Sequence, residues 1–261
     1  MKRKNLFINQ VVNSIKNFDS YKEVSTHSLS SSFMYFFILI LIYAIIATIG
    51  ITYSTRTKIS KAQDFIKNEV QELNYSDGKL SINNDEPGSY YGDYIIIDTS
   101  ENANVDNMND NSQMIFTRED LYLRAEQGRV KITYKNFFSQ NFDKNTLIEA
   151  LDVNKYTGII IVVSLFGAFL VLSISTLLDI LVIALIGFIL SRVTGNTKVG
   201  FKNAFNMAVH AITLSVIFGM IYFLVNIFTG FYVKYFSTMY TLLATIYMVT
   251  AVLLLNADEK Q

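Results

Sequence analysis

The 261-residue chain has no cysteine, one proline and two histidines, and each shortage removes a class of chemistry. Without cysteine there are no disulfides, thiolate metal sites or cysteine nucleophiles. A water-exposed domain must then rest on its own apolar core, which is feasible near about 100 residues. With Pro87 as the single proline, the helical segments carry no proline kinks. Two histidines leave almost no transition-metal donor set, and the sequence lacks HExxH, GxSxG, Walker A and GxGxxG motifs. No catalysis, metal or cofactor is therefore expected. No basic stripe dominates a soluble stretch either, which argues against nucleic acid as a partner.

What the chain does have is apolar sequence in blocks. Hydrophobic residues make up 51% and the mean hydropathy is +0.30, too high for a typical soluble domain of this size. They cluster at 33–51, 158–190 and 204–255, whereas 52–157 reads as soluble sequence. The net charge of zero conceals an asymmetry, with 17 acids against 12 bases in 52–157 and 5 against 10 elsewhere.

Residues 33–51 form an uncharged run of 19, close to the about 20 that cross a bilayer core, and are expected to be a retained anchor rather than a cleaved signal. The stretch 158–190 holds one charge, Asp179, and reads either as one long helix or as two short spans turning near Gly167. Basic residues decide between them, because short cytoplasmic loops are enriched in Lys and Arg. Lys2, Arg3, Lys4, Lys16 and Lys22 mark the N-terminal tail, and Arg192, Lys198 and Lys202 mark the loop after Leu190. If both are cytoplasmic, the stretch between must cross once. The expected fold class is membrane α-helical, with four transmembrane helices and a small α+β extracytoplasmic domain inserted between the first and second. The expected segments are a cytoplasmic amphipathic segment (1–32), TM1 (33–51), the outer domain (52–157), a long TM2 (158–191), a basic cytoplasmic loop (192–203), TM3 (204–225), an outer loop (226–237), TM4 (238–255) and a cytoplasmic tail (256–261). Tyr35, Tyr53, Tyr156, Tyr222, Tyr235 and Tyr240 fall near span ends, where amphipathic rings favour the interface. In the tail, Leu6, Phe7, Val11, Ile15 and Phe18 recur at helical spacing. Such a helix either lies on the cytoplasmic membrane face or packs on the protein's own loops.

In the outer segment, Ile59, Ala62, Phe65, Ile66, Glu69, Val70 and Leu73 predict an amphipathic helix over Ile59–Leu73. Short strand-like runs follow, namely KLSI, YYGDYIIID, QMIFT and LYLRAEQGRVKITY, separated by turn signals at Ser76-Asp-Gly78, Glu86-Pro-Gly88 and Gln127-Gly128. They predict a small antiparallel sheet, with a closing helix near Thr146–Leu151. Tyr90, Tyr91, Tyr94 and Phe116 read as sheet core before they read as a binding groove. Asp93, Asp98 and the acids of 101–110 read as a solvated loop, since EF-hand spacing is missing.

The basic amphipathic start, the anchor, the segments DGKLSINNDEP, IIIDTS and IFTREDLYL, and the run ALIGFILSRVTGNTKVGFKNAFNMAVHAITLSVIFG together resemble the DUF1189 family of uncharacterised Firmicute membrane proteins. Abundant Asn, Lys and Ile fit an AT-rich bacterial genome. The likeness covers nearly the whole chain, and the C-terminal part is similar to Yip1-like membrane domains. The resemblance implies a helical bundle without a known catalytic centre and a link to maltodextrin utilisation; no residue here demonstrates sugar binding. Family members often carry proline shortly after the position of Thr213, where this chain has Leu214 and Ser215, so a proline-broken helix is not expected.

The candidate binding residues are Asp179, His210, Asn206 and Thr213. A carboxylate inside a membrane costs about 2.5–3.5 kcal/mol on insertion scales, so Asp179 should face the bundle interior with a partner. Ser175 and Thr176 lie one turn away on its own helix, and His210 lies at a neighbouring depth on the next span. These four residues serve either as a proton or cation path or as interhelical polar glue, the bland and favoured reading. Ser164 with Ala168, and Ser215 with Gly219, are small pairs that permit close helix packing. An intramembrane aspartyl protease would need a second facing aspartate.

The expected function is that of a non-enzymatic protein of the bacterial cytoplasmic membrane, both termini cytoplasmic, whose outer domain binds a partner protein or envelope ligand as an accessory or assembly factor. The alternatives are a small transporter or channel subunit using Asp179, and a membrane sensor. A sensor is expected to carry a cytoplasmic output domain, and after Leu255 the sequence is NADEKQ. The lipid bilayer and a protein partner or second copy are the expected surroundings.

Overall fold

The structure, a computed structural model, describes residues 6–82, 89–91, 95–100, 103, 105, 114–125, 128–136, 138–195 and 199–258. The chain divides into two compact units, residues 1–52 with 159–261, and residues 53–158.

The first unit is helical. Four helical stretches are long and apolar enough to cross a membrane. They are α3 (Leu29–Asn68), α5 (Val153–Val193), the pair α6 (Phe201–Ala211) and α7 (Thr213–Thr229), and α8 (Phe236–Asp258). At about 1.5 Å per residue, α3 and α5 each run about 60 Å, twice a bilayer core. The stretch 158–190 is thus a single helix with no turn at Gly167.

At the centre lies α6. Residues Ala204 to Ala211 are buried without interruption, so this helix shows no outward face along that stretch. Around it pack Phe36, Leu39 and Ile40 of α3, Ile180, Ile183 and Ala184 of α5, and Ala244, Met248 and Val252 of α8. α6 and α7 are distinct helices, parted at Ile212 without any proline. The i→i−4 bonds persist on both sides, with Ile212 N–H donating to Ala208 (3.1 Å) and Val216 N–H to Ile212 (2.9 Å). Gly219 lets α7 come close to its neighbours, because a Cβ there would stand 3.3 Å from the Tyr43 hydroxyl. One turn earlier, Ser215 Oγ donates to the Tyr240 carbonyl at 2.8 Å, so this small pair does sit at a close helix contact.

The N-terminal helices α1 (Leu6–Lys16) and α2 (Ser20–Ser25) pack on the bundle itself. Phe7, Val11 and Phe18 join its core, whereas Ile8 and Val12 on the opposite side stay exposed. The helix thus packs on the protein's own helices rather than on its loops.

The second unit is α/β. Helix α3 continues through the segment expected to form a separate helix, and stops at Asn68 rather than Leu73. Ala62, Ile66 and Val70 recur every four residues and enter the core, whereas Glu69 is exposed and does not belong to the apolar face. Leu73 instead opens a strand. The strands are β1 (Leu73–Ser76), β2 (Lys79–Ile82), β3 (Ser89–Tyr91), β4 (Ile95–Asp98), β5 (Met114–Phe116), β6 (Asp120–Ala125), β7 (Gly128–Thr133) and β8 (Phe142–Asp143).

They form two sheets, not one: β2-β1-β8 and β3-β4-β5-β6-β7. All pairs are antiparallel except β4 with β5, which is parallel, so the expectation of a single antiparallel sheet is corrected. A parallel pair needs a crossover rather than a tight turn, and in sequence β4 and β5 are separated by the polar run that follows Asp98. Ala103 and Val105 of that run pack over Ile96 and Ile115. The β1–β2 hairpin turns on Asp77 and Gly78, both at positive φ (50° and 86°), as a two-residue hairpin turn of this type demands. Helix α4 (Lys144–Ala150) closes the unit, and its first turn is capped by Asp143, whose side chain accepts from the Thr146 N–H. Phe116 is half-buried against the core; Asp93 and Tyr94, the Tyr90 and Tyr91 side chains, and the acids of 101–110 lie outside the described residues.

Candidate functional site

Helix α6 brings together three of the four candidate residues. Asn206, His210 and the following Thr213 fall on one helical face by their spacing of four and three, and they are 0%, 1% and 0% exposed. Each meets a different part of the N-terminal region. The Asn206 amide donates to the His27 carbonyl (2.7 Å) and, at 3.4 Å, to that of Ser25, while its oxygen accepts from Ser32 Oγ (2.8 Å). Asn203, one turn earlier, donates to the same Ser25 carbonyl at 3.0 Å. Thr213 Oγ1 bonds the Tyr35 hydroxyl at 2.9 Å.

His210 is enclosed. Its Nδ1 lies 2.7 Å from Ser14 Oγ, and the Tyr35 ring stacks on its face with centroids 4.2 Å apart. The serine has a single proton, which it gives to the Gln10 carbonyl at 2.7 Å. A neutral imidazole that carries its proton on Nδ1 matches this order of bonds, with Ser14 accepting from it and Nε2 left as a lone pair. Tyr21 of α2 ties the same helix, donating to the Ser14 carbonyl at 2.9 Å. Burial, assisted by Tyr35 and Tyr247, holds the Tyr21 phenol well above its ordinary pKa, so it stays a hydrogen-bond donor.

Asp179 stands apart from this cluster. It is half-buried on α5, and its bonding partner is Thr241 Oγ1 of α8 at 3.4 Å. Thr176 is buried and Ser175 exposed, and neither donates to it among the described residues. Among those residues no hydrogen bond joins Asp179 to His210; the four candidates divide into a group of three and a single carboxylate.

The cluster also contains residues the sequence reading passed over: Ser14, His27, Ser32 and Tyr35. One signal was present. Ser14 lies on the Phe7, Val11, Phe18 face of α1, where a polar residue amid core positions calls for a buried partner. Tyr35, expected near a span end, is 2% exposed and stacked on the histidine.

The α/β unit has a cleft of about 300 Å³ at the start of α4, lined by Phe138, Asn141, Phe142, Thr146 and Leu147. Among the described residues no three His, Cys, Asp or Glu side chains gather as a metal set.

The profile of the family described as "Protein of unknown function (DUF1189)" matches residues 8–252, so the chain belongs to this family. Neither the curated proteins nor the solved structures contain a match to it.

Proposed function

We propose that this protein anchors itself in the bacterial cytoplasmic membrane with both termini inside, and that its α/β unit, on the outer face, binds a partner protein or envelope ligand as a non-enzymatic accessory or assembly factor. One observation carries the reading. The polar side chains that a conducting path through the bundle would need are engaged in packing: Asn206, His210 and Thr213 hold the N-terminal region, and Asp179 meets Thr241 instead of His210. The bundle then serves as a scaffold, and recognition falls to the unit that has its own core.

The outward placement rests on the basic flanks Arg192, Lys198 and Lys202 and on the bases of the N-terminal tail. Strand β7 forms one edge of the five-stranded sheet and exposes Val130, which suits strand addition by a protein partner. The cleft beside α4 is the counterpart for a small ligand.

A photo-crosslinker placed at Val130 and, separately, at Phe138 in intact cells tests this. One and the same protein captured from both positions, together with cleavage of 99–112 by protease added outside, is the expected result. If the stretch is cut only after the membrane is opened, the threading is reversed. If Asp179→Asn abolishes proton or cation flux in proteoliposomes while the protein stays folded, transport replaces this reading.

A further inference from the structure

Two imidazole nitrogens in the buried cluster have no bonding partner among the described residues: Nε2 of His210 and Nδ1 of His27. The first belongs to a side chain 1% exposed, and the hydrogen-bond order through Ser14 leaves that nitrogen as an acceptor. A buried lone pair without a donor has lost its bond to water and gained none in exchange, so native structures rarely leave one empty-handed.

The fold brings the second imidazole close to the first. Asn206 holds the His27 carbonyl at 2.7 Å, and His210 follows Asn206 by one turn on the same face of α6. The two rings end 6.3 Å apart, centre to centre, at an interplanar angle of 69°. That is too far for a direct bond between ring nitrogens. Two bonds of about 2.8 Å meeting near the tetrahedral angle at one water oxygen hold imidazole centres about 6 Å apart. A buried water needs at least two polar partners, and the orphaned nitrogens supply two.

We propose that His27 and His210 form a binding site for one water molecule, which donates to Nε2 of His210 and bonds Nδ1 of His27. The water completes the bonding of α6 to the segment joining α2 and α3. Because His27 is half-buried while His210 is enclosed, this water also links the closed imidazole to the half-buried one, and through it to exchange with solvent. The chemistry the site selects is a small neutral hydrogen-bond donor. The lone pairs alone would also accept a Lewis-acidic metal ion, and the test separates the two.

The full chain, labelled with ¹⁵N-histidine and placed in lipid nanodiscs, gives the ring-nitrogen spectrum directly. The expected spectrum of His210 has Nδ1 protonated and Nε2 unprotonated but hydrogen-bonded, with a cross-peak to water. In His27→Phe the Nε2 signal should move to that of a free lone pair and the water cross-peak should vanish. In His27→Gln, whose amide can replace a ring nitrogen, the cross-peak should persist; this variant also decides the matter if the phenylalanine chain fails to fold. Nε2-protonated His210 in the wild type, or a His210 signal indifferent to His27→Phe, overturns the proposal. So does one equivalent of Zn²⁺ or Cu⁺ bound per chain with His210 as ligand.

Discussion

The two units are opposites in what they hide. Among the described residues of the α/β unit, the large apolar side chains left exposed are Tyr53, Val130, Phe138 and Tyr156, and its interior is Ile, Leu, Val and Tyr. In the helical unit, α5 alone exposes Val162, Phe166, Val171 and Ile174, each by more than 60%, while Asn206, His210, Thr213 and Ser215 are buried at 1% or less. The difference follows from the solvent. Water drives apolar groups inward, whereas lipid gives helices no such drive and leaves close packing and interhelical hydrogen bonds to hold them. A polar residue is incidental on the surface of the α/β unit and central in the helical one.

The comparison breaks most visibly where apolar burial carries the fold. Ile97 is 0% exposed in β4, a strand buried on both faces, with Ile95 and Ile97 in the main core and Ile96 against Ile115. Ile97→Ala should cost about 2–5 kcal/mol, read as a lower denaturation midpoint of the α/β unit within the full chain.

A charge on an exposed residue sharpens the contrast. Ile174→Lys, near the middle of α5, should cost about 2.5–3.5 kcal/mol in membrane insertion or bundle stability. Val130→Lys, at a comparable exposure of 52% against 62%, should change stability by less than about 0.5 kcal/mol. Equal effects would mean that both surfaces face the same medium.

Next in size is the polar core. Asn206→Ala removes the acceptor of Ser32 and the donor to His27, and strands both groups in a buried setting. A loss of about 2 kcal/mol is expected, with faster proteolysis of the N-terminal helices from the otherwise folded chain. Unchanged cleavage would show that apolar contacts such as Phe7 with Tyr35 hold α1 and α2 without the network.

Much of this was legible in the residues. The apolar runs marked all four helical stretches long and apolar enough to cross a membrane, because a lipid-spanning helix needs about 20 such residues whatever packs against it. The hairpin at Asp77-Gly78 was legible because few residues tolerate positive φ. The merging of anchor and amphipathic helix into one α3 was not, since the sequence changes from uniformly apolar to amphipathic between Ile51 and Ile59, which reads as a boundary although no breaker stands there. The parallel β4–β5 pair was hidden because strand direction depends on a crossover whose sequence is polar. For the candidate site, spacing on α6 gave Asn206, His210 and Thr213, but their partners lie 174 to 196 residues away, and no local pattern reports contacts at that separation.

The smallest effect belongs to the start of α4 in the α/β unit, where Asp143 is exposed, and its sign is fixed by one cap. Asp143 accepts from the side chain and the backbone N–H of Thr146, at 2.6 and 2.8 Å, at the first turn of α4. Those bonds, the side-chain one first, hold its carboxyl below the ordinary carboxylate range. A group with a depressed folded-state pKa contributes stability that is present above its unfolded value near about 3.9 and is lost as pH falls through the folded value. Comparing the wild type with Asp143→Asn, the denaturation midpoints of this unit should differ slightly and constantly from neutral pH down to about pH 4, then converge on further acidification. A difference that grows with acidification would mean that the carboxylate is better accommodated in the unfolded chain, and the cap at α4 would then owe its stability to the asparagine-compatible geometry of the turn rather than to charge.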